Sequence, residues 1–163
     1  MRTMRYAAFL FAFACIASTV VRARQPQDLR PGEVAQAFVE AYNAHDASRL
    51  VGLYASTVHI VTPDLTTIRD PAEHERYYQA WFESVPDVHA TVVTLTVDGE
   101  VFALELRETG TYRKRLPTRG APRARGQKLS YPFVVIGRVR EGKIASLRFY
   151  ENDLVIEKQL GIR

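Results

Sequence analysis

The stretch His89–Tyr112, HATVVTLTVDGEVFALELRETGTY, decides the fold. β-Branched residues crowd 89–97, Asp98-Gly99 is a strong turn dipeptide, and 100–112 alternates apolar with polar side chains, so the segment reads as a β-hairpin. Along its second arm Phe102, Leu104 and Leu106 share one face, and Glu105 and Arg107 share the other. Strand character resumes from Leu129 to Arg140, turns at Glu141-Gly142 and returns from Lys143 to Tyr150. The connection 113–128 contains Pro117, Gly120, Pro122 and Gly126 and continues neither period.

Upstream, the period is helical. Pro31 suits a first helical position, and Val34, Ala37, Phe38, Ala41 and Tyr42 recur at helical spacing through Ala44. Asp46 caps a short second helix over Ala47 to Tyr54, and residues 57–61 read as a strand around His59. Asp70-Pro71 starts a third helix that runs to about Ser84 and carries Tyr77, Tyr78, Trp81 and Phe82. A last helix spans Asp153 to Leu160, with Asp153 as its expected cap. Three helices ahead of a four-stranded meander predict an α+β fold in which a curved, mostly antiparallel sheet wraps the helices and leaves a hollow.

The first twenty-three residues read differently. Met1 to Arg5 carries two arginines and no acid, Tyr6 to Val21 is apolar or small, and Val21-Arg22-Ala23 offers a cleavage site. The expectation is a signal peptide at 1–23, a linker at 24–30 and one domain at 31–163, with export to the periplasm or medium after cleavage near Ala23. An uncleaved membrane anchor is the alternative, since the apolar run is shorter than the roughly 20 residues of a membrane span. The chain's single cysteine, Cys15, lies in this segment, so no disulfide can hold the domain.

Charge is local instead of general. The formal net charge of +4 includes Arg2, Arg5 and Arg22 of the leader, whereas Arg113 to Lys128 holds seven basic residues and no acid. That loop is expected to contact acidic surfaces. Its aromatics flank the charges instead of alternating with them, so no nucleic acid is expected.

Several short strings occur together in a recognisable order: Ala41-Tyr42-Asn43-Ala44-His45-Asp46, Trp81-Phe82 before Pro86-Asp87, Gly110-Thr111, Gly142-Lys143-Ile144, and Tyr150 before Gln159-Leu160-Gly161. In this order they resemble the SnoaL-like, polyketide-cyclase-like branch of the nuclear-transport-factor-2-like superfamily, over roughly residues 32–161. The resemblance implies a cone-shaped roll, its curved sheet wrapped around three helices with a pocket between them, dimers formed through the outer sheet face, and chemistry ranging from aldol cyclisation and ketosteroid isomerisation to noncatalytic binding. It also implies an aspartate base at the end of the last strand. This chain has Asn152 there, and an amide cannot serve as that base. A further departure is Tyr112, where relatives often carry a histidine after Gly-Thr.

The residues themselves offer candidates. Glu105 is the expected replacement base if it points inward, and Asp153 the second choice; a structural ion pair between Glu105 and a neighbouring arginine is the competing reading. His59, Tyr112 and Asn152 are candidate donors to a developing oxyanion. Tyr54, Tyr77, Tyr78, Trp81 and Tyr131 supply rings that either line a pocket or fill the core, and Arg107, Arg148 and Tyr150 are candidate polar lining. His45 is placed at the end of the first helix, and His74 and His89 are expected to be exposed. No metal-ligand spacing, phosphate-binding glycine loop, nucleophile elbow or cysteine pair is present, so neither metal nor cofactor is expected. The expected ligand is a small apolar or polycyclic carbonyl compound; the alternative is a noncatalytic binding domain or a dimeric assembly domain.

Overall fold

The computed structural model describes residues 29–117 and 120–162. The segment 1–23 assigned to export lies outside the described residues. In chain order the elements are α1 (Pro31–Asn43), α2 (Ala47–Gly52), β1 (Tyr54–Val61), β2 (Thr67–Ile68), α3 (Pro71–Ser84), β3 (His89–Asp98), β4 (Val101–Tyr112), β5 (Gln127–Arg140), β6 (Lys143–Glu151) and α4 (Asp153–Leu160). The six strands form one sheet in the order β2-β1-β6-β5-β4-β3. All neighbours are antiparallel except β1 and β6, which run parallel. This is the α+β cone expected from the sequence, with a curved, open mixed sheet.

Local chemistry accounts for the element ends. Asp46 accepts a hydrogen bond from the Arg49 amide and Asp70 one from the Ala72 amide, while proline occupies the first turn of α3. α4 corrects one assignment. Its cap is Asn152, whose side chain accepts from the Val155 amide, and Asp153 is its exposed first residue. The β5–β6 turn places Glu141 and Gly142 at φ values of 51° and 69°, the left-handed pair that a two-residue hairpin needs to follow strand twist. Register shifts interrupt β3–β4 between Val92 and Thr94, and β5–β6 between Arg138 and Val139. Such irregularities add local twist and bend, which lets long strands curl around helices.

The strings that carried the family resemblance act as latches between elements. Asn43 at the end of α1 brackets Ala90 of β3, accepting from its amide at 2.8 Å and donating to its carbonyl at 2.9 Å. His45, at φ 55°, places Nε2 at 2.8 Å from the Val88 carbonyl and stacks on Phe82. Asp87 accepts from both the amide and the hydroxyl of Thr111 at 2.7 Å, joining the Pro-Asp string to the Gly-Thr string. Gln159 exchanges two hydrogen bonds with the backbone of Ser130, docking α4 on β5. These contacts satisfy backbone groups that no ladder reaches, and they fix how helices sit over the sheet.

Candidate functional site

Strand parity decides what faces the helices. Along β4 from Phe102 to Glu108 the buried positions are Phe102, Leu104, Leu106 and Glu108, and the intervening Glu105 and Arg107 are exposed on the outer face. The register confirms one common face, since Glu108 lies opposite both Ala90 and Tyr131, which are buried. The inward carboxylate is therefore Glu108, correcting the expectation that Glu105 occupies the hollow. Extending the Phe102-Leu104-Leu106 alternation by one more step would have found it.

Glu108 ends a chain of donors from three further elements. Trp81 Nε1 on α3 donates to the Tyr42 hydroxyl on α1 at 2.9 Å, and that hydroxyl donates to Glu108 Oε2 at 2.5 Å. The Tyr131 hydroxyl on β5 donates to the other carboxylate oxygen, Oε1. Burial raises the carboxyl pKa above its ordinary value, while the hydrogen bonds from Tyr131 and Tyr42 pull it back. Burial also pushes the pKa values of Tyr42, Tyr78 and Tyr131 well above the usual phenol range, so these hydroxyls remain protonated donors.

The network opens onto a cavity of about 210 Å³ between α1, α3, β5, β6 and α4, walled by Phe38, Tyr77, Tyr78, Trp81, Tyr131, Phe133 and Phe149. It is smaller than the roughly 300 Å³ at which drug-sized pockets begin, so it suits a compact molecule of one or two rings, or part of a longer one. Its mouth is edged by Thr62 and Pro63 after β1, Glu151 at the end of β6, Leu116 of the basic loop, and Ile156 and Leu160 of α4. Glu151 is a surface residue by area yet faces the mouth. Desolvation there, and then the nearby charges of Asp153, Glu108 and Asp64, raise its pKa from 4.5 to about 7.

His74 is buried, not exposed as its place in the early turn of α3 suggested. It follows the four-residue spacing of His74, Tyr78 and Phe82, which turns one stripe of α3 toward the core. Its Nδ1 lies 2.9 Å from the Tyr54 hydroxyl, and burial lowers its pKa to about 4, keeping the ring neutral near physiological pH. Tyr78, packed against His74 with ring centroids 4.4 Å apart, is 3% exposed, and its hydroxyl makes no hydrogen bond of good geometry, although the Tyr54 hydroxyl is near enough to act on it. Buried hydroxyls are seldom left so, and a ligand oxygen would satisfy this one.

The remaining sequence candidates lie elsewhere. Tyr77, Tyr78, Trp81 and Tyr131 stand in the cavity wall, and Tyr54 supports it through His74. Tyr112 is buried, but its hydroxyl is committed to the Pro122 carbonyl and the Leu116 amide, so it holds the basic loop and not an oxyanion. Asn152 is occupied as the α4 cap and Asp153 is outside the cavity lining. His59, Arg148 and Tyr150 point to the opposite side of the sheet, where they share an open depression of about 280 Å³ with Ile136, Arg138 and Ser146. Arg107 is on the same outer side, because its parity matches Glu105. Among the described residues, no group of three His, Cys, Asp or Glu side chains could hold a metal. No described helix is long and apolar enough to cross a membrane.

Comparison with known proteins agrees with this geometry. Several solved structures share the fold at low identity. A candidate polyketide cyclase of Xanthomonas campestris pv. campestris superposes with a TM-score of 0.71 at 22% identity, covering 80% of this chain and 96% of that one. A candidate SnoaL-like polyketide cyclase of Jannaschia sp. CCS1 gives 0.73 at 16% identity, with coverages of 87% and 99%. A Catenulispora acidiphila protein with a ketosteroid isomerase-like fold, solved with trimethylamine, gives 0.66 at 19% identity, with coverages of 82% and 95%. Among curated proteins no significant sequence match was found. The family model described as the SnoaL-like domain matches residues 35–147, most of the domain described above, and the chain therefore belongs to the SnoaL-like domain family.

Proposed function

We propose that this protein takes a compact, apolar carbonyl compound into the cavity and removes a proton next to the carbonyl, as a cyclase or isomerase does. The observation that carries the reading is one buried carboxylate, Glu108, held by two tyrosines at the floor of an aromatic hollow. In the proposed step a Glu108 oxygen takes the proton, the C–H electron pair moves into the carbonyl, and the oxygen that gains charge accepts a hydrogen bond from the Tyr78 hydroxyl. The proton then returns to carbon, or the enolate carbon attacks a second carbonyl of the same molecule, whose π pair moves to its oxygen, and that alkoxide takes the proton from Glu108 and restores the base. The neutral His74 stiffens the wall beside Tyr78 without competing for the proton. Loss of carbon-acid exchange on Glu108→Gln, measured by NMR in deuterium oxide, tests this reading.

A second reading is favoured by the outer sheet face, where Ile136 and Tyr150 are exposed beside the His59 depression. A noncatalytic or assembly role would pair two copies through this face, with Arg107 and Arg148 at its polar positions. Ile136→Lys is expected to convert a dimer to a monomer in sedimentation; a wild-type protein that is monomeric at high micromolar concentration would exclude that pairing.

The proposal extends to location and boundaries: export, cleavage near Ala23, a linker at 24–30 and a domain at 31–163, supported by the basic start and apolar run of the leader. Mass spectrometry of the protein from its natural host is expected to find Arg24 as the first residue, and an intact Met1 would contradict it. The basic loop is proposed to meet acidic surfaces. Its described part holds Lys114 against Glu83 of α3 and Arg115 against the Ala121 carbonyl.

A further inference from the structure

The cavity has an uneven charge inventory. Its lining contains two carboxylates, Glu108 at the floor and Glu151 at the mouth, and no lysine or arginine among the described residues. The one titratable nitrogen, on His74, stays neutral because it is buried. Asp64, tied to Thr62 and Thr66, and Asp153 on α4 stand close enough to the mouth for their charges to act on Glu151. The floor carboxylate is satisfied by phenols. The mouth carboxylate has no hydrogen-bond or ion-pair partner among the described residues.

Aromatic faces with an unpaired carboxylate form a cation receptor. A ring presents the negative face of its quadrupole, so an ammonium gains from rings and carboxylate together once water is excluded. At the mouth those rings are Tyr77 and Phe149, both lining residues, and Phe149 shares the inward parity of Glu151 on β6. Of the basic loop's described residues only Leu116, which is apolar, is in the lining. Independently, the buried Tyr78 hydroxyl, with no hydrogen bond of good geometry, leaves room for a polar ligand atom deeper in.

We propose that the cavity selects compact ligands bearing a protonated amine, with the ammonium at the mouth against Glu151, Tyr77 and Phe149 and the apolar body inside. This names the substrate class of the site described above and rests on that cavity being where the ligand acts.

The test needs no turnover, so its failure is distinct from failure of the proton-transfer reading. Binding of naphthylmethylammonium and of its neutral isostere naphthylmethanol to the purified protein is measured by calorimetry at about pH 8, where Glu151 is ionised. The ammonium is expected to bind about tenfold more tightly than the alcohol. In Glu151→Gln, a surface change that leaves the floor network intact, the preference is expected to shrink to about twofold while the alcohol is unaffected. Equal binding of the two probes, no binding of either, or an undiminished preference in Glu151→Gln would each overturn the proposal.

Discussion

Glu108→Gln is expected to slow deuterium exchange into β-tetralone, a two-ring ketone with an acidic C–H, by about a thousandfold, the usual contribution of a positioned general base. Glutamine preserves the volume, but its single oxygen accepts from only one of the Tyr42 and Tyr131 hydroxyls and its NH2 group meets the other, so the variant keeps the shape of the wall, reorients one hydroxyl and loses the ability to take a proton. The pH dependence follows from sign. Burial raises the Glu108 pKa, and a base works only when deprotonated, so wild-type exchange rises with pH and its acid limb falls above the ordinary carboxylate value of 4.5. The same shift opposes stability. The folded state holds the proton more tightly than the unfolded chain, so Glu108 favours folding most below the unfolded value, and that contribution is lost as pH rises through the folded one. Exchange that continues undiminished in the variant would remove Glu108 from the chemistry and leave the binding reading in its place.

The second large effect is structural. Gly137 in β5 lies opposite Phe102 of β4, and a Cβ there would stand 2.2 Å, 2.4 Å and 2.9 Å from ring atoms of that phenylalanine. Phe102 is fully buried in the main core, so the ring cannot swing into solvent to make room. Gly137→Ala is expected to cost about 3 kcal/mol, near the upper end for overpacking, and to lower Tm by roughly 10 °C. Gly52→Ala is the control, since a Cβ at that position meets nothing within 4 Å. Equal Tm values for the two variants would show that the sheet yields there and that the ring contact does not limit packing.

Most of the scaffold was legible from local pattern. Proline after a capping aspartate marked the start of α3, and period-two alternation marked β3 through β6. β2 was not, because two residues carry no period and Thr67–Ile68 are held by pairing with β1. The site was harder to read. Glu105 drew attention as a carboxylate on a strand beside an arginine, but the face that reaches the hollow is the apolar one, and Glu108 continues it. His74 was misplaced because its neighbours in sequence are charged, whereas its neighbours in space are Tyr54, Tyr78 and Phe149. Asn152 and Tyr112 have chemistry suited to an oxyanion, yet each spends its polar atoms on a backbone end that would otherwise lack a partner.

By itself the sequence determined the order of helices and strands, the family and the availability of aromatic area, because turn residues, caps and periodicity act over a few positions of the chain. Only the tertiary structure decided which carboxylate is buried, which tyrosines approach it and which hydroxyl is left over. Those depend on sheet curvature and register, which bring Tyr42, Trp81, Glu108 and Tyr131 together from four separate elements, and no local pattern encodes that distance.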